Sequence, residues 1–274
     1  MAFARTGILM AVAGILALPT LAPAQTSRDA VCRLKVATAV RKFGGYLGVR
    51  VNYCHQQRVR GELVPSIDCN APDTWGADFL RGANFVIVDA EKARKLINSC
   101  NPDASIAGLG YTSCPAPCGA LPVSTFDELA ACMRCVTYDE VTTYSDSLFG
   151  TVPIPITKEA RDCQERLGRS MTTYYNKLTF FQHTCQYKKE RGDVEFAAVD
   201  CDDLDNPLHP SYSRMQGVIF KINALIEKRC GPVPDLGTVL NSCSSTAAGL
   251  QACLKSGVDA GAASLFPTIY PTIP

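Results

Sequence analysis

Apolar residues recur along the chain at helical spacing in two long stretches. In the first stretch, steps of four, three and four residues connect Val36, Val40, Phe43 and Leu47. The same steps recur in the second half of the chain, at Leu167, Met171, Tyr174 and Leu178. Steps of this size place side chains on one face of an α-helix, so each stretch is predicted to be a helix packed on one side.

A second helical stretch follows each of these, one ending at Cys100 and the other at Cys230. The apolar positions of the two second stretches are Phe79, Val86, Ala90, Ala93 and Leu96, and then Met215, Val218, Ile222 and Ile226. The segments between first and second stretches, residues 61–75 and 192–213, are rich in Pro, Asp, Asn and Gly, which is typical of loops. Each pair of stretches is therefore predicted to form a helical hairpin.

A third helix is predicted where Thr125 is followed by Glu128, the spacing of a capping box. The apolar residues Leu129, Met133 and Val136 come directly after it.

The cysteines follow the same order of intervals in both halves of the chain. Cys32 to Cys54 and Cys163 to Cys185 are both 22 residues. The later intervals differ by at most two residues and lead to the pairs of positions Cys69 and Cys201, Cys100 and Cys230, and Cys114 and Cys243. Beyond them, residues 129–134 align with residues 250–255. The predicted fold is all-α, with two tandem disulfide-stapled helical modules, each a hairpin plus a third helix.

The domain boundaries follow from composition. Residues 1–24 carry Arg5, an apolar run over residues 7–18 and the small-residue ending Ala22-Pro23-Ala24, the layout of a secretory signal peptide cleaved near Ala24. Module one is predicted over residues 25–150, a proline-containing linker over 151–157 and module two over 158–266. Residues 267–274 are interpreted as a proline-rich, untethered tail in preference to a docking strand, because chain ends are usually poorly ordered.

Charge and cysteine content narrow the location and the partners. The full chain has 27 basic and 26 acidic residues, and removal of the signal peptide with Arg5 would leave 26 of each, so neither nucleic acid nor an anionic membrane is expected as a partner. No stretch after the signal peptide has the ~20 apolar residues of a membrane-spanning helix, so no membrane insertion is expected. All 14 cysteines follow the signal peptide, which indicates a disulfide framework in a secreted or periplasmic protein.

Helix geometry suggests how the cysteines pair. A 22-residue helix spans roughly 33 Å, and an antiparallel second helix returns its last cysteine to the start of the first. The predicted hairpin pairs are Cys32–Cys100, Cys54–Cys69, Cys163–Cys230 and Cys185–Cys201.

The second module lacks counterparts of two cysteines, Cys118 and Cys135. Two cysteines that are absent together most simply form one bond. Cys118–Cys135 is therefore predicted as one bond. The remaining predicted bonds are Cys114–Cys132 and Cys243–Cys253. Other connectivities stay open, because cysteine order alone does not prove pairing.

Two patterns allow a metal site. Cys114, Cys118, Cys132 and Cys135 have the spacing of a four-cysteine zinc site, although an oxidising compartment favours disulfides. The acidic run Asp200, Asp202, Asp203 and Asp205 offers oxygen ligands to Ca²⁺, but it lacks the glycine and distal glutamate of an EF-hand loop. The favoured interpretation of this run, which we call the acidic loop, is a loop exposed to solvent. No cofactor is predicted.

No catalytic residues are predicted. His55, His183 and His209 are expected to have surface or packing roles, and Trp75 and Phe79 are expected to belong to the core. The chain contains no His-Glu-x-x-His, Gly-x-Ser-x-Gly or glycine-rich phosphate motif.

The chain resembles secreted cysteine-rich repeat proteins that environmental bacteria carry in many copies. In the second half, the resemblance rests on Cys163-Gln164-x-x-Leu167, Tyr174, Lys177-Leu178, Gln182-x-x-Cys185, an acidic loop at Cys201 and a helix ending at Cys230. In the first half, it rests on Leu109-Gly110-Tyr111 and Phe126-x-x-Leu129-x-x-Cys132-x-x-Cys135. The resemblance implies no activity and no catalytic residues.

Two classes of function follow. The first is a non-enzymatic structural or binding protein that acts at the cell surface or outside the cell on an extracellular or cell-surface partner, with the acidic loop as its first candidate contact. The alternative is a secreted hydrolase with a site between the modules, whose mark would be a base within hydrogen-bond reach of a nucleophile.

Overall fold

The two apolar stretches with helical spacing form long helices in a computed structural model. The structure describes residues 27–271, except residues 65, 77–78, 150–156, 235 and 237–245. The predicted signal peptide, most of the linker and Cys243 lie outside the described residues. Within the described residues, the regular structure consists of six α-helices and one short 3₁₀ turn, Val194–Phe196, and contains no strand. The α-helices are α1 (Ser27–Val59), α2 (Leu80–Asn98), α3 (Phe126–Phe149), α4 (Lys158–Glu190), α5 (Tyr212–Cys230) and α6 (Ala247–Ile269). The predicted all-α class is confirmed.

Local sequence signals explain where several helices begin and end. At the start of α3, the hydroxyl of Thr125 accepts from the Glu128 backbone N–H at 3.2 Å, and the Glu128 carboxylate accepts from the Thr125 backbone N–H at 3.0 Å. This is the predicted capping box. The first helix of each half is followed by a glycine with positive φ, Gly61 at 74° and Gly192 at 81°, a conformation that favours glycine.

Six disulfides close the helical framework. They join the cysteines that the interval argument pairs: Cys32–Cys100, Cys54–Cys69, Cys114–Cys132, Cys118–Cys135, Cys163–Cys230 and Cys185–Cys201. Cys253 is also disulfide-bonded, and its predicted partner Cys243 lies outside the described residues. Disulfides in this number are typical of a protein from an oxidising extracellular or periplasmic environment. Among the described residues, no helix is both long enough and apolar enough to span a membrane.

The two halves of the chain share one hydrophobic core. We call residues 27–149 the first segment and residues 157–271 the second segment. Helices α1 and α4 pack against each other, α3 packs against α6, and α2 and α5 cover the outside of their own segments. The largest buried cluster contains Phe43 and Val141 of the first segment together with Leu167 and Val258 of the second. The segments are therefore not separate cores joined by a swinging linker.

Helices α1 and α4 run antiparallel and meet through small residues. A Cβ atom added at Gly44 would lie 2.5 Å from the hydroxyl oxygen of Tyr175, and one added at Gly45 would lie 2.5 Å from the Asn176 side-chain nitrogen. Position 175 is the one that the cysteine alignment pairs with position 44. Equivalent positions of the two segments thus face each other at the middle of the helix pair, where only glycine allows this approach.

A buried ion pair joins the same two helices at one end. The Arg33 guanidinium donates to the Glu190 carboxylate at 3.2 Å and to the Leu109 carbonyl oxygen at 2.6 Å. Both charged side chains are almost fully buried. Breaking such a pair by removing one partner is strongly destabilising, because the other charge stays buried.

The prediction of an untethered tail from Pro267 is wrong. Helix α6 continues through Pro267 to Ile269, and both Ile269 and Tyr270 are buried in a core cluster of the first segment. The Tyr111 hydroxyl donates to the Ile269 carbonyl oxygen at 2.7 Å. Pro267 has no backbone N–H to donate to the carbonyl oxygen one turn earlier, and the burial of two large side chains offsets this loss.

Candidate functional site

The four cysteines with zinc-like spacing are present as disulfides. Cys114 is bonded to Cys132, and Cys118 is bonded to Cys135. A zinc site requires thiolates, which disulfide sulfurs do not supply.

The four aspartates of the acidic loop do not converge on one point. The Asp200 carboxylate accepts from the Asp202 backbone N–H at 3.1 Å, and the Asp202 carboxylate accepts from the Gln182 side-chain amide at 2.7 Å. Asp205 accepts from the Lys255 ammonium group at 2.6 Å. The described residues hold no group of three or more His, Cys, Asp or Glu side chains that fits a metal ion. The Asp203 side chain, the fourth, is exposed.

The histidines contact other side chains in the protein interior. The His55 ring stacks on Phe149 with centroids 4.0 Å apart, and burial followed by the charge of Arg58 lowers the pKa of His55 to about 3. Burial also lowers the pKa of His183 to about 3. The His209 ring accepts from the Ser211 backbone N–H at 3.0 Å.

The expected core aromatics are buried as well. The Trp75 indole donates to the Asp68 carbonyl oxygen at 2.8 Å, and its ring lies edge-on to Phe79 with centroids 5.0 Å apart.

The acidic loop instead forms one wall of a cleft in the second segment. An apolar groove of about 260 Å³ lies between α4, α5 and α6 and is lined by Met171, Tyr174, Ile219, Ile222, Asn223, Ala248, Gln251, Ala252, Leu254 and Lys255. An acidic pocket of about 140 Å³ adjoins it, with the polar lining residues Tyr174, Gln182, Asp202, Asp203, Asp205, Lys255 and Asp259. Tyr174 and Lys255 line both spaces, so the groove and the pocket are neighbouring parts of one surface region that meet at these two side chains. We call this the second-segment cleft.

A hydrogen-bonded network stands where the two parts of the cleft meet. The Tyr174 hydroxyl donates to the Asp259 carboxylate at 2.6 Å, and the Lys255 ammonium group donates to Asp259 at 2.5 Å and to Asp205 at 2.6 Å. Burial and the nearby Asp259 charge raise the pKa of Tyr174. Partial burial lowers the pKa of Lys255, but hydrogen bonds and charges from Asp205 and Asp259 outweigh it and raise that pKa overall. Lys255 is therefore held as a cation.

Two hydrogen-bond acceptors in the pocket, the side-chain carbonyl oxygen of Gln182 and the carboxylate of Asp202, have no cationic partner among the described residues. Gln182 is buried, its amide nitrogen donates to Asp202, and its side-chain carbonyl oxygen has no hydrogen-bond partner among the described residues. Partial burial and the charge of Asp200 raise the pKa of Asp202. A buried carbonyl oxygen without a donor and a carboxylate in this environment both gain from a ligand that donates hydrogen bonds.

The first segment has grooves in the corresponding place with different chemistry. A groove of about 310 Å³ between α2 and α3 is lined by Arg94, Ala131, Arg134 and Tyr138, among others. In the alignment of the third helices, Arg134 stands where the second segment has Lys255, Tyr138 stands where it has Asp259, and Ala131 stands where it has Ala252. The equivalent grooves are therefore natural controls for each other.

A second buried acid, Glu140, lies at the interface between the segments. The Tyr175 hydroxyl donates to the Glu140 carboxylate at 3.3 Å, and Glu140 lies against Gly261 of α6. Burial raises the pKa of Glu140 to about 8. Both side chains are buried where α1, α3, α4 and α6 pack together, so a substrate reaches Glu140 only if this core opens.

Part of the cleft could be predicted from the sequence, which has clear signals for some of its residues. The acidic loop stands out by its charge, and Tyr174 and Gln182 belong to the helix pattern and to the family resemblance. Lys255 and Asp259 were not predicted, because their four-residue spacing on one helix is a signal for an ion pair but not for a cleft. Comparisons of this chain with protein-family models, with curated proteins and with solved structures found no match.

Proposed function

We propose that this protein is exported and acts as a non-enzymatic binding protein, with the second-segment cleft as its ligand site. After signal-peptide cleavage near Ala24 it would act in the periplasm, at the cell surface or in the medium. The observation that carries the proposal is the cleft itself, which combines an apolar wall with a few hydrogen-bonding groups at one end. This combination is typical of small-molecule sites.

Two features favour binding over the hydrolase alternative. The groups at the junction of the cleft, Tyr174, Lys255 and Asp259, bind one another, and the two carboxylates that contact Lys255 hold it in its charged form, which is not nucleophilic. Glu140, one of the buried acids between the segments, is enclosed by four packed helices. Neither place offers an accessible nucleophile beside a free base.

The test is a ligand screen with a matched pair of groove variants. Ala252 is exposed on the apolar groove, so Ala252→Phe fills that groove without disturbing the core. Ala131→Phe fills the equivalent groove of the first segment. Disulfide-intact protein spanning residues 25–274 is screened against small molecules of different chemical classes by saturation-transfer NMR.

We expect a class of ligands whose signals disappear with Ala252→Phe, persist with Ala131→Phe and show no chemical conversion. Ligand signals that are insensitive to Ala252→Phe, in a variant with wild-type circular dichroism and melting temperature, would refute the cleft as the site. Conversion of any compound by the wild type would support the hydrolase alternative instead.

A further inference from the structure

We propose that the second-segment cleft binds a small primary alkylammonium ion, with the charged head in the acidic pocket and the hydrocarbon chain in the apolar groove. This inference rests on the proposed function and names its ligand class. Three features of the cleft support it: the charge balance of the pocket, one unsatisfied buried acceptor and the position of the pocket beside the groove.

The pocket lining has an excess of negative charge. It contains the carboxylates of Asp202, Asp203, Asp205 and Asp259 and only one cationic group, Lys255. Lys255 binds Asp205 and Asp259, whereas Asp202 and Asp203 form no ion pair with a described residue. A concave site lined by one sign of charge concentrates ligands of the opposite sign. The remaining carboxylates therefore favour a second cation.

The buried side chain of Gln182 points to a cation that donates hydrogen bonds. Its exposed fraction is 2%. Its amide nitrogen is fixed by Asp202, which leaves the carbonyl oxygen as an acceptor that no described residue satisfies. A primary ammonium group carries three N–H donors and stays charged at neutral pH, because alkylamines resemble lysine, whose pKa is about 10.4. One such group can serve Asp202 directly and Gln182 after a movement of its side chain, because the Gln182 carbonyl oxygen is itself buried.

The protein already holds one ammonium group at the edge of this pocket. The Lys255 ammonium lies between Asp205 and Asp259, at 2.6 and 2.5 Å from one oxygen of each, and forms charge-assisted hydrogen bonds with both carboxylates. Its side chain also lines the apolar groove. Lys255 thus shows how this wall of the cleft accommodates an alkylammonium group.

The apolar groove supplies the second part of the specificity. Met171, Ile219, Ile222 and Leu254 line it, and it joins the pocket at Tyr174 and Lys255. A chain attached to an ammonium group in the pocket therefore has this groove beside it, past the Tyr174 and Lys255 side chains. Each buried methylene is expected to tighten binding by about fourfold.

Isothermal titration calorimetry tests this inference with butylammonium, hexylammonium, 1-hexanol, hexanoate and CaCl₂ as probes at pH 7. We expect hexylammonium to bind more tightly than butylammonium by roughly an order of magnitude, which is the methylene increment applied twice. We expect 1-hexanol to bind at least tenfold more weakly than hexylammonium, hexanoate to be weaker still, and CaCl₂ not to displace hexylammonium.

Variants locate the contacts. Asp202→Asn and Gln182→Leu remove a charge and an acceptor from the pocket, and each is expected to weaken hexylammonium binding at least tenfold. Asp73→Asn, in a groove of the first segment, is the matched control and should leave the affinity unchanged. Two pocket variants are used because Asp202 and Gln182 contact each other. Each variant is first compared with the wild type in melting temperature.

The outcomes separate this inference from the proposed function. If hexanol binds as tightly as hexylammonium and Ala252→Phe abolishes both, the cleft is a ligand site but the ammonium inference is overturned. Displacement by CaCl₂ would assign the pocket to metal ions and would also overturn it. If none of these probes binds while the broader screen finds other ligands sensitive to Ala252→Phe, only the ammonium inference fails. Binding of hexylammonium that Ala252→Phe leaves unchanged refutes both.

Discussion

Replacing Glu140 by glutamine should change how the stability of the protein depends on pH. Glu140 is buried between the segments, and burial raises its pKa from 4.5 to about 8, partly offset by the hydrogen bond from Tyr175. In the unfolded chain the same carboxyl group has an ordinary pKa. Between pH 4.5 and about 8, the folded protein therefore keeps a proton that the unfolded chain has lost.

The sign and size of the effect follow from proton linkage. Because the folded state binds the extra proton, the free energy of unfolding falls as pH rises through this range. One pKa unit corresponds to 1.36 kcal/mol, so a shift from 4.5 to about 8 corresponds to about 5 kcal/mol at pH 8.5. Water that reaches the charged carboxylate reduces this value, and we expect a difference of about 3–5 kcal/mol. Glutamine keeps the shape and the acceptor for Tyr175 but does not ionise.

The assay is guanidinium unfolding of the wild type and Glu140→Gln, followed by circular dichroism at pH 4.5, 6.5 and 8.5. The two proteins should have similar stability at pH 4.5, where Glu140 is neutral, and the variant should be more stable at pH 8.5. Burial of His55 and His183 destabilises both proteins equally as pH falls below 6.5, so it cancels in the comparison. Glu62→Gln on the surface is the control and should give a curve parallel to the wild type. If the stability of Glu140→Gln changed with pH in parallel with that of the wild type, the reasoning would be refuted.

Two further predictions test the shared core. Gly44→Ala should lower the free energy of unfolding by about 1–2 kcal/mol, because the added methyl group meets Tyr175. Gly217→Ala on α5 has open space around it and should raise the free energy of unfolding by about 0.5–1 kcal/mol, because alanine has the higher helix propensity. Equal effects of the two substitutions in denaturant titrations would contradict the close approach of α1 and α4. A chain that ends at Phe266 lacks the buried Ile269 and Tyr270, and its free energy of unfolding should be lower by about 3–5 kcal/mol. A chain that ends at Pro271 keeps these contacts and should match the full chain in thermal unfolding. Full stability of the shorter chain would restore the interpretation of these residues as a free tail.

Much of the framework was predictable because its causes are local in sequence. The stripes Val36 to Leu47 and Leu167 to Leu178 are buried as their spacing predicts, and the capping box at Thr125 forms. Disulfide pairing was accessible because helix length and hairpin direction fix which cysteines can meet. The acidic loop was singled out for its charge, but its role in a cleft depends on α6, which lies some 50 residues away at Lys255.

The sequence by itself determined the helices, their caps and the order of the cysteines, since these depend on neighbours within a few turns of one chain. Only the tertiary structure decided that the two segments share a core, that Glu140 is enclosed beside Tyr175, and that Ile269 and Tyr270 are buried in the first segment. It also decided that Tyr174, Gln182, Lys255 and Asp259 meet in one cleft. These outcomes depend on which apolar faces pack together, and an apolar stripe specifies that a face is buried but not which partner covers it.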